Sequence, residues 1–70
     1  MKKMFRIYCG PTIVREVAAF LERLGGYDEI LAGTAHVYVT AAHQTTRYAV
    51  LDDIQSYGCG WGIADVLEIG

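Results

Sequence analysis

Two cysteines and a histidine are the residues whose types best suit metal or thiol chemistry in this chain. Cys9 and His43 each follow a strand-like run, and Cys59 lies in a glycine-rich segment. If these strand ends share one rim of a sheet, the three side chains approach each other despite their separation in sequence. Zinc binds such ligands at about 2.0–2.3 Å, but the spacing matches none of the common zinc patterns. A metal or thiol sensor at Cys9, Cys59 and His43 is therefore one alternative, while no metal or cofactor is assigned.

The acidic and histidine residues do not form a recognisable catalytic pattern. Asp52 and Asp53 are adjacent on a helix-like segment, where neighbouring side chains diverge by about 100° and do not share a site. His36 and His43 have no serine or cysteine at a spacing typical of a hydrolytic triad. The glycines of segment 58–62 precede a strand, whereas a dinucleotide-binding loop follows a strand and opens a helix. The chain is therefore predicted not to be an enzyme.

The segment Cys9-Gly10-Pro11-Thr12 lies between a strand-like and a helix-like run. It resembles the Cys-Gly-Pro-Cys redox loop of thioredoxin-like proteins. That resemblance implies a thiolate at Cys9, favoured by the helix N-terminus. However, Thr12 stands where the family has its second cysteine, and the only proline is Pro11, so the family's cis-proline contact has no counterpart. Cys9 is accordingly interpreted as a half-buried structural thiol.

Length and composition are typical of one small globular domain spanning residues 1–70. Hydrophobic residues make up 53% of the chain and charged residues 20%, which is typical of a folded chain. Six Lys and Arg against eight Asp and Glu give a net charge of −2, which argues against nucleic acid as the partner. No apolar run approaches the roughly 20 residues of a membrane helix, and two cysteines are too few for a disulfide framework. These features predict a cytoplasmic protein with no membrane contact.

Hydrophobic periodicity predicts the element order β-α-β-β-α-β. A stripe of apolar residues with helical spacing marks the first helix, and Gly25-Gly26 ends it. Segment 27–42 is too long for one strand and is divided at Gly33-Thr34 into a hairpin, although a single strand preceded by a loop is also considered. This order favours a ferredoxin-like α+β sandwich, with two helices on one face of a four-stranded, mainly antiparallel sheet. The predicted elements are strand Met4–Cys9, helix Ile13–Leu24, strands Tyr27–Ala32 and Ala35–Ala41, a helix from Thr45 or Thr46 to Tyr57, and strand Ile63–Ile69.

The sheet face opposite the helices is predicted to be open, with Tyr8 and Tyr38 side by side on it. Strand alternation adds Arg6, His36 and Thr40 to this face. In the last strand, Ile63, Leu67 and Ile69 are expected on the core face together with Asp65, while Val66 and Glu68 are expected on the open face.

Protein binding is the predicted function, because tyrosine and arginine are favoured at interface hot spots. Compact acidic chains of this length without motifs include many virus-encoded inhibitors of host defence, such as anti-CRISPR proteins, and by that analogy the chain is an inhibitor, adaptor or regulator. RNA or single-stranded DNA binding, with bases stacked on the two tyrosines, is an alternative, and self-association into a homodimer is another. The candidate binding residues are Tyr8, Tyr38, His36, Arg6, Asp52, Asp53 and Trp61.

Overall fold

The computed structural model describes residues 1–56 and 65–70. These residues form two helices and one four-stranded sheet with the strand order β2-β3-β1-β4, in which all neighbouring strands are antiparallel. Both helices bury apolar residues in one cluster with the same face of the sheet, which confirms the predicted ferredoxin-like α+β fold. The elements are β1 (Lys2–Tyr8), α1 (Val14–Leu24), β2 (Glu29–Ala32), β3 (His36–Ala42), α2 (Arg47–Gln55) and β4 (Asp65–Glu68).

The hairpin predicted at Gly33-Thr34 is confirmed. The Gly33 N–H donates to the carbonyl oxygen of His36 at 2.7 Å, and β2 then pairs with β3 through Leu31 opposite Tyr38 and Glu29 opposite Thr40. Segment 27–42 is therefore two strands, and the alternative with a single strand is wrong. The first strand of the hairpin begins at Glu29 rather than at Tyr27.

The first helix is held by a narrow apolar stripe. Val14, Val17 and Leu21 are buried, whereas Leu24 is exposed at its last turn. Gly25 ends the helix with a φ of 77° and donates its N–H to the Leu21 carbonyl oxygen at 3.3 Å. Glycine takes this left-handed conformation without steric cost, as the sequence predicts.

The second helix begins with a side-chain cap. Of the two threonines predicted to cap it, Thr46 does so, because its Oγ1 accepts the N–H of Ala49 at 3.1 Å. Val50 and Ile54 then lie on the buried side of the helix. Among the described residues, neither helix has the length and apolar character needed to cross a membrane.

The two faces of the last strand are the reverse of the sequence expectation. Val66 pairs with Ile7 and is fully buried in the core, whereas Asp65 and Leu67 lie on the open face and are exposed. A shift of one residue in the alternation moves every side chain of a strand to the other face. Glu68 also lies away from the open face, opposite Phe5, with Oε1 at 3.6 Å from Nζ of Lys3. The predicted placement of Val66 and Glu68 on the open face is therefore wrong, and Ile63 lies outside the described residues.

Candidate functional site

The open face, which is the face of the sheet opposite the helices, carries the predicted aromatic residues. Strand register places Tyr8 opposite His36, and Arg6 opposite Tyr38. Directly opposed residues project to the same face of an antiparallel pair, so all four lie together on the open face, as predicted. Tyr8 and Tyr38 are diagonal to each other rather than side by side, because His36 occupies the position across from Tyr8.

The three aromatic rings form a continuous series across the two central strands. The centroids of Tyr8 and His36 are 5.2 Å apart in an edge-to-face arrangement. The centroids of His36 and Tyr38 are 6.1 Å apart. These separations lie within the range in which aromatic rings attract each other. The Tyr38 ring also covers Gly33, since a Cβ at Gly33 would lie 3.2 Å from Cε2 of Tyr38, and this contact ties the ring to the hairpin.

Exposed aliphatic residues surround the aromatic series, and sequence reasoning did not assign them to this face. Leu31 of β2 is opposite Tyr38 and is 62% exposed, and Leu67 of β4 is opposite Arg6 and is 42% exposed. Leu31 could have been identified from the sequence, because a hairpin that turns at Gly33-Thr34 places Leu31 directly opposite Tyr38. Met4 and Ile69 extend the apolar surface, because the Ile69 N–H donates to the Met4 carbonyl oxygen at 2.8 Å and both side chains are exposed.

Arg6 lies at the centre of the open face, and no carboxylate of the described residues pairs with it. Its cross-strand neighbours are Tyr38 and Leu67. The nearby Asp65 instead has Oδ1 at 3.5 Å from Nη2 of Arg47. Of the residues that the structure describes, none forms an ion pair or hydrogen bond with the Arg6 side chain. The guanidinium group is therefore available to a ligand among apolar and aromatic side chains.

The other candidate residues do not join this face. Asp52 is exposed on α2, on the helical side of the sheet. Asp53 is half-buried, and its Oδ2 accepts a hydrogen bond from the Tyr27 hydroxyl at 2.7 Å. This contact fixes the segment before β2 to α2 and gives Asp53 a structural role. Trp61 lies outside the described residues.

The Tyr27 hydroxyl remains protonated far into the alkaline range in the folded chain. Burial disfavours the charged phenolate and, together with the adjacent Asp53 carboxylate, raises the pKa of Tyr27 well above its usual value. The unfolded chain releases this proton first, at about pH 10. The stabilisation from this group is therefore fully present below about pH 10 and is lost as the pH rises from there towards the folded pKa.

We expect Tyr27→Phe to lower the free energy of unfolding by about 1 kcal/mol at neutral pH, because the Asp53 carboxylate loses its donor. The loss of stability above about pH 10 should also be shallower in this variant than in the parent. Urea unfolding at a series of pH values measures both effects. Tyr48→Phe is the control, since Tyr48 is 70% exposed. Equal alkaline slopes for the parent and Tyr27→Phe would contradict the assignment.

The predicted meeting of Cys9 and His43 is wrong. Strands β1 and β3 are antiparallel, so Cys9 lies beside Ala35 at the start of β3, whereas His43 follows Ala42, which pairs with Lys2. The two side chains lie at opposite ends of the sheet, roughly 25 Å apart at about 3.3 Å per residue. Cys59 lies outside the described residues. Within residues 1–56 and 65–70, no group of three or more His, Cys, Asp or Glu side chains is placed to hold a metal ion.

Cys9 itself is a buried free thiol. Its Sγ lies 3.8 Å from the carbonyl oxygen of Ala35. Burial raises the pKa of the Cys9 thiol, which disfavours the reactive thiolate. The redox chemistry implied by the thioredoxin-like segment is therefore not supported at this position.

Comparison of the chain with protein-family models, with curated proteins and with solved structures found no match. The assignment of the fold accordingly depends on the strand order and register, and the assignment of a site depends on the geometry of the open face.

Proposed function

We propose that this chain is a non-catalytic binding module that docks another protein on its open face. The observation that carries the proposal is the arrangement of three linked aromatic rings and two exposed leucines around an arginine without a carboxylate partner. Tyrosine and arginine are enriched among the residues that supply most of the binding energy of protein interfaces. In this role the chain acts as an inhibitor, adaptor or regulator.

The charges on the open face define the chemistry of the partner. Arg6 is central and without an acidic partner, whereas Lys2 is already paired with Asp28 at 2.7 Å. A partner carboxylate placed on Arg6 forms charge-assisted hydrogen bonds, and these are stronger than hydrogen bonds between neutral groups. The surrounding tyrosines and leucines require an apolar surface around that carboxylate. The partner is therefore a protein surface with an aspartate or glutamate set among apolar side chains.

The position of the aromatic residues on paired strands also supports a docking role. Tyr8, His36 and Tyr38 lie on the two central strands, which pair along seven residues of β1. Aromatic side chains have few rotatable bonds, so ordering them in a complex costs little conformational entropy. The proposal places the protein in the cytoplasm, where a free thiol such as that of Cys9 stays reduced.

We expect Tyr8→Ala and Tyr38→Ala each to weaken partner binding by about 1–3 kcal/mol, which is roughly 5- to 150-fold in affinity. Each variant removes a ring from the open face and leaves the buried core intact. The measurement is quantitative capture from a host lysate by the tagged full chain, followed by titration of the captured protein against each variant. Circular dichroism verifies that every variant is folded.

Tyr48→Ala is the control, because it removes a ring of the same size from α2, outside the open face, where Tyr48 is 70% exposed. A captured protein that binds the parent and all three variants equally would refute the open face as the site. Loss of capture after nuclease treatment would instead show that nucleic acid is the ligand. In that case, replacing Glu29 by lysine on the open face would also strengthen binding, and the affinity would fall steeply with increasing salt.

A further inference from the structure

β2 and β4 are the two edge strands of the sheet. They differ in what contacts the backbone N–H and C=O groups that point away from the sheet. The hydrogen-bonded pair formed by Gly33 and His36 sets the alternation along β2. It directs the N–H and C=O groups of Leu31 towards β3 and those of Ile30 and Ala32 away from the sheet. On β4 the same alternation directs the groups of Val66 and Glu68 outward. Outward groups of this kind are a template for pairing with another strand.

An arginine covers the start of the edge formed by β4. Arg47 donates its Nε hydrogen to the outward carbonyl oxygen of Val66. Its Nη2 also lies 3.5 Å from Oδ1 of Asp65. A strand that approached β4 would have to displace this guanidinium group from both contacts. The side chain therefore blocks pairing at this edge, which is a common protective device.

None of the described residues covers the edge formed by β2 in this way. In the part of the chain that the structure describes, no side chain or loop hydrogen-bonds to the outward groups of Ile30 or Ala32. The segment Ile30–Gly33 carries neither charge nor proline. Leu31, between the two outward-facing residues, is 62% exposed on the open face. Hydrogen-bonding groups and apolar surface are thus offered together at one edge.

We infer that two copies of this chain associate through β2, antiparallel, about a two-fold axis at Leu31. Ile30 of one copy then lies opposite Ala32 of the other, and each such pair exchanges two N–H···O bonds. The two Leu31 side chains meet at the axis as a close pair that is not hydrogen-bonded. Glu29 lies opposite the uncharged Gly33, so that no like charges face each other in this register.

Charges on α1 favour this same arrangement. Glu22 and Ile30 line one groove beside β2, whereas Arg15 and Ala32 line another at its opposite end. The two-fold axis brings the Ile30 end of one copy to the Ala32 end of the other. Glu22 of each copy therefore lies towards Arg15 of the other. This charge complementarity selects a second copy over an unrelated extended peptide.

The asymmetry between the edges limits the assembly to two copies. Pairing of β2 with β4 would leave a free edge at each end and would propagate into a filament. Arg47 opposes that mode, whereas pairing of β2 with β2 consumes the open edge of both copies. The product is one continuous eight-stranded sheet, in which both open faces remain exposed on the same side. Because the paired strands are short, the dimer is weak and dissociates on dilution.

Charge exchange on α1 tests this inference with residues that are exposed and outside the core. We expect Arg15→Glu or Glu22→Arg alone to raise the concentration for half-dimerisation about tenfold or more. The double variant Arg15→Glu/Glu22→Arg should return this concentration to that of the parent. The two positions are about 10 Å apart along one helix, so that rescue requires contact between copies. Sedimentation equilibrium of the untagged 7.7 kDa chain, from micromolar to millimolar concentration, measures the change. Arg23→Glu is the control with the same change in net charge on the same helix.

A second pair of variants distinguishes the edge from the face. Leu31→Asp should abolish the dimer, because it places two carboxylates together at the axis. Leu67→Asp, on the other edge strand, should leave it unchanged. A parent chain that stays monomeric at millimolar concentration would overturn the inference, and so would failure of the double variant to dimerise. Equal loss with Leu31→Asp and Leu67→Asp would assign the contact to stacked open faces and would also overturn it.

Discussion

Replacing Leu21 by alanine is expected to lower the free energy of unfolding by about 2–5 kcal/mol. Leu21 is fully buried between α1 and the sheet and belongs to the single apolar cluster formed by the described residues. The substitution removes apolar surface and leaves a cavity that the surrounding core fills only in part. A domain of this size has only a few kcal/mol of stability, so that the variant should be substantially unfolded near 37 °C. Urea unfolding followed by circular dichroism measures the difference.

Leu24→Ala is the matched control for this prediction. Leu24 lies on the same helix, three residues further along, and is 45% exposed. The same chemical change there should cost less than about 1 kcal/mol. If the two alanine variants are equally stable, then the face of α1 that contacts the sheet has been assigned wrongly.

The second large effect is expected at the last strand. Val66→Asp should lower the free energy of unfolding by about 3 kcal/mol or more, because it places a carboxylate at a fully buried position opposite Ile7. Leu67→Asp, one residue further along the strand, should change it by less than about 1 kcal/mol. Denaturant unfolding of the two variants and the parent provides the comparison. If Leu67→Asp were the less stable variant, Leu67 would lie on the core face, as the sequence alternation predicts.

The fold could be predicted because its signals are local and strong. The apolar stripe of α1, the glycines that end it and the threonine that caps α2 each specify one element independently of the others. The break at Gly33-Thr34 then sets the strand count. Four strands and two helices in this order leave few arrangements that respect right-handed crossovers, and the observed one is among them.

The buried face of β4 could not be predicted, because apolar residues occur on both of its faces. Val66 lies on one face, whereas Leu67 and Ile69 lie on the other. The face with more apolar residues is the one expected to be buried, but pairing with β1 decides which face contacts the core. β4 has four residues, and Val66 is the one that is buried. Packing against β1 therefore decides the buried face of β4, and the number of apolar residues on each face does not.

The candidate site was predicted in its centre and missed at its margins. Arg6, Tyr8, His36 and Tyr38 follow from simple alternation on the two central strands. Leu31 and Leu67 depend on the register of the edge strands, which alternation alone does not specify. The proposed approach of Cys9 to His43 failed for a related reason. It placed the ends of two strands on one rim, although neighbouring antiparallel strands end on opposite rims.

The position of β4 beside β1 has a consequence for folding during synthesis. β1 is made early, and its N–H and C=O groups at Met4, Arg6 and Tyr8 face β4, which is made some sixty residues later. Until β4 emerges from the ribosome, β1 has one unpaired edge and Ile7 lacks its cover from Val66. Unpaired strand edges and exposed apolar residues are the features that chaperones bind and that drive aggregation. The nascent chain therefore passes through a vulnerable interval that closes only when β4 leaves the exit tunnel.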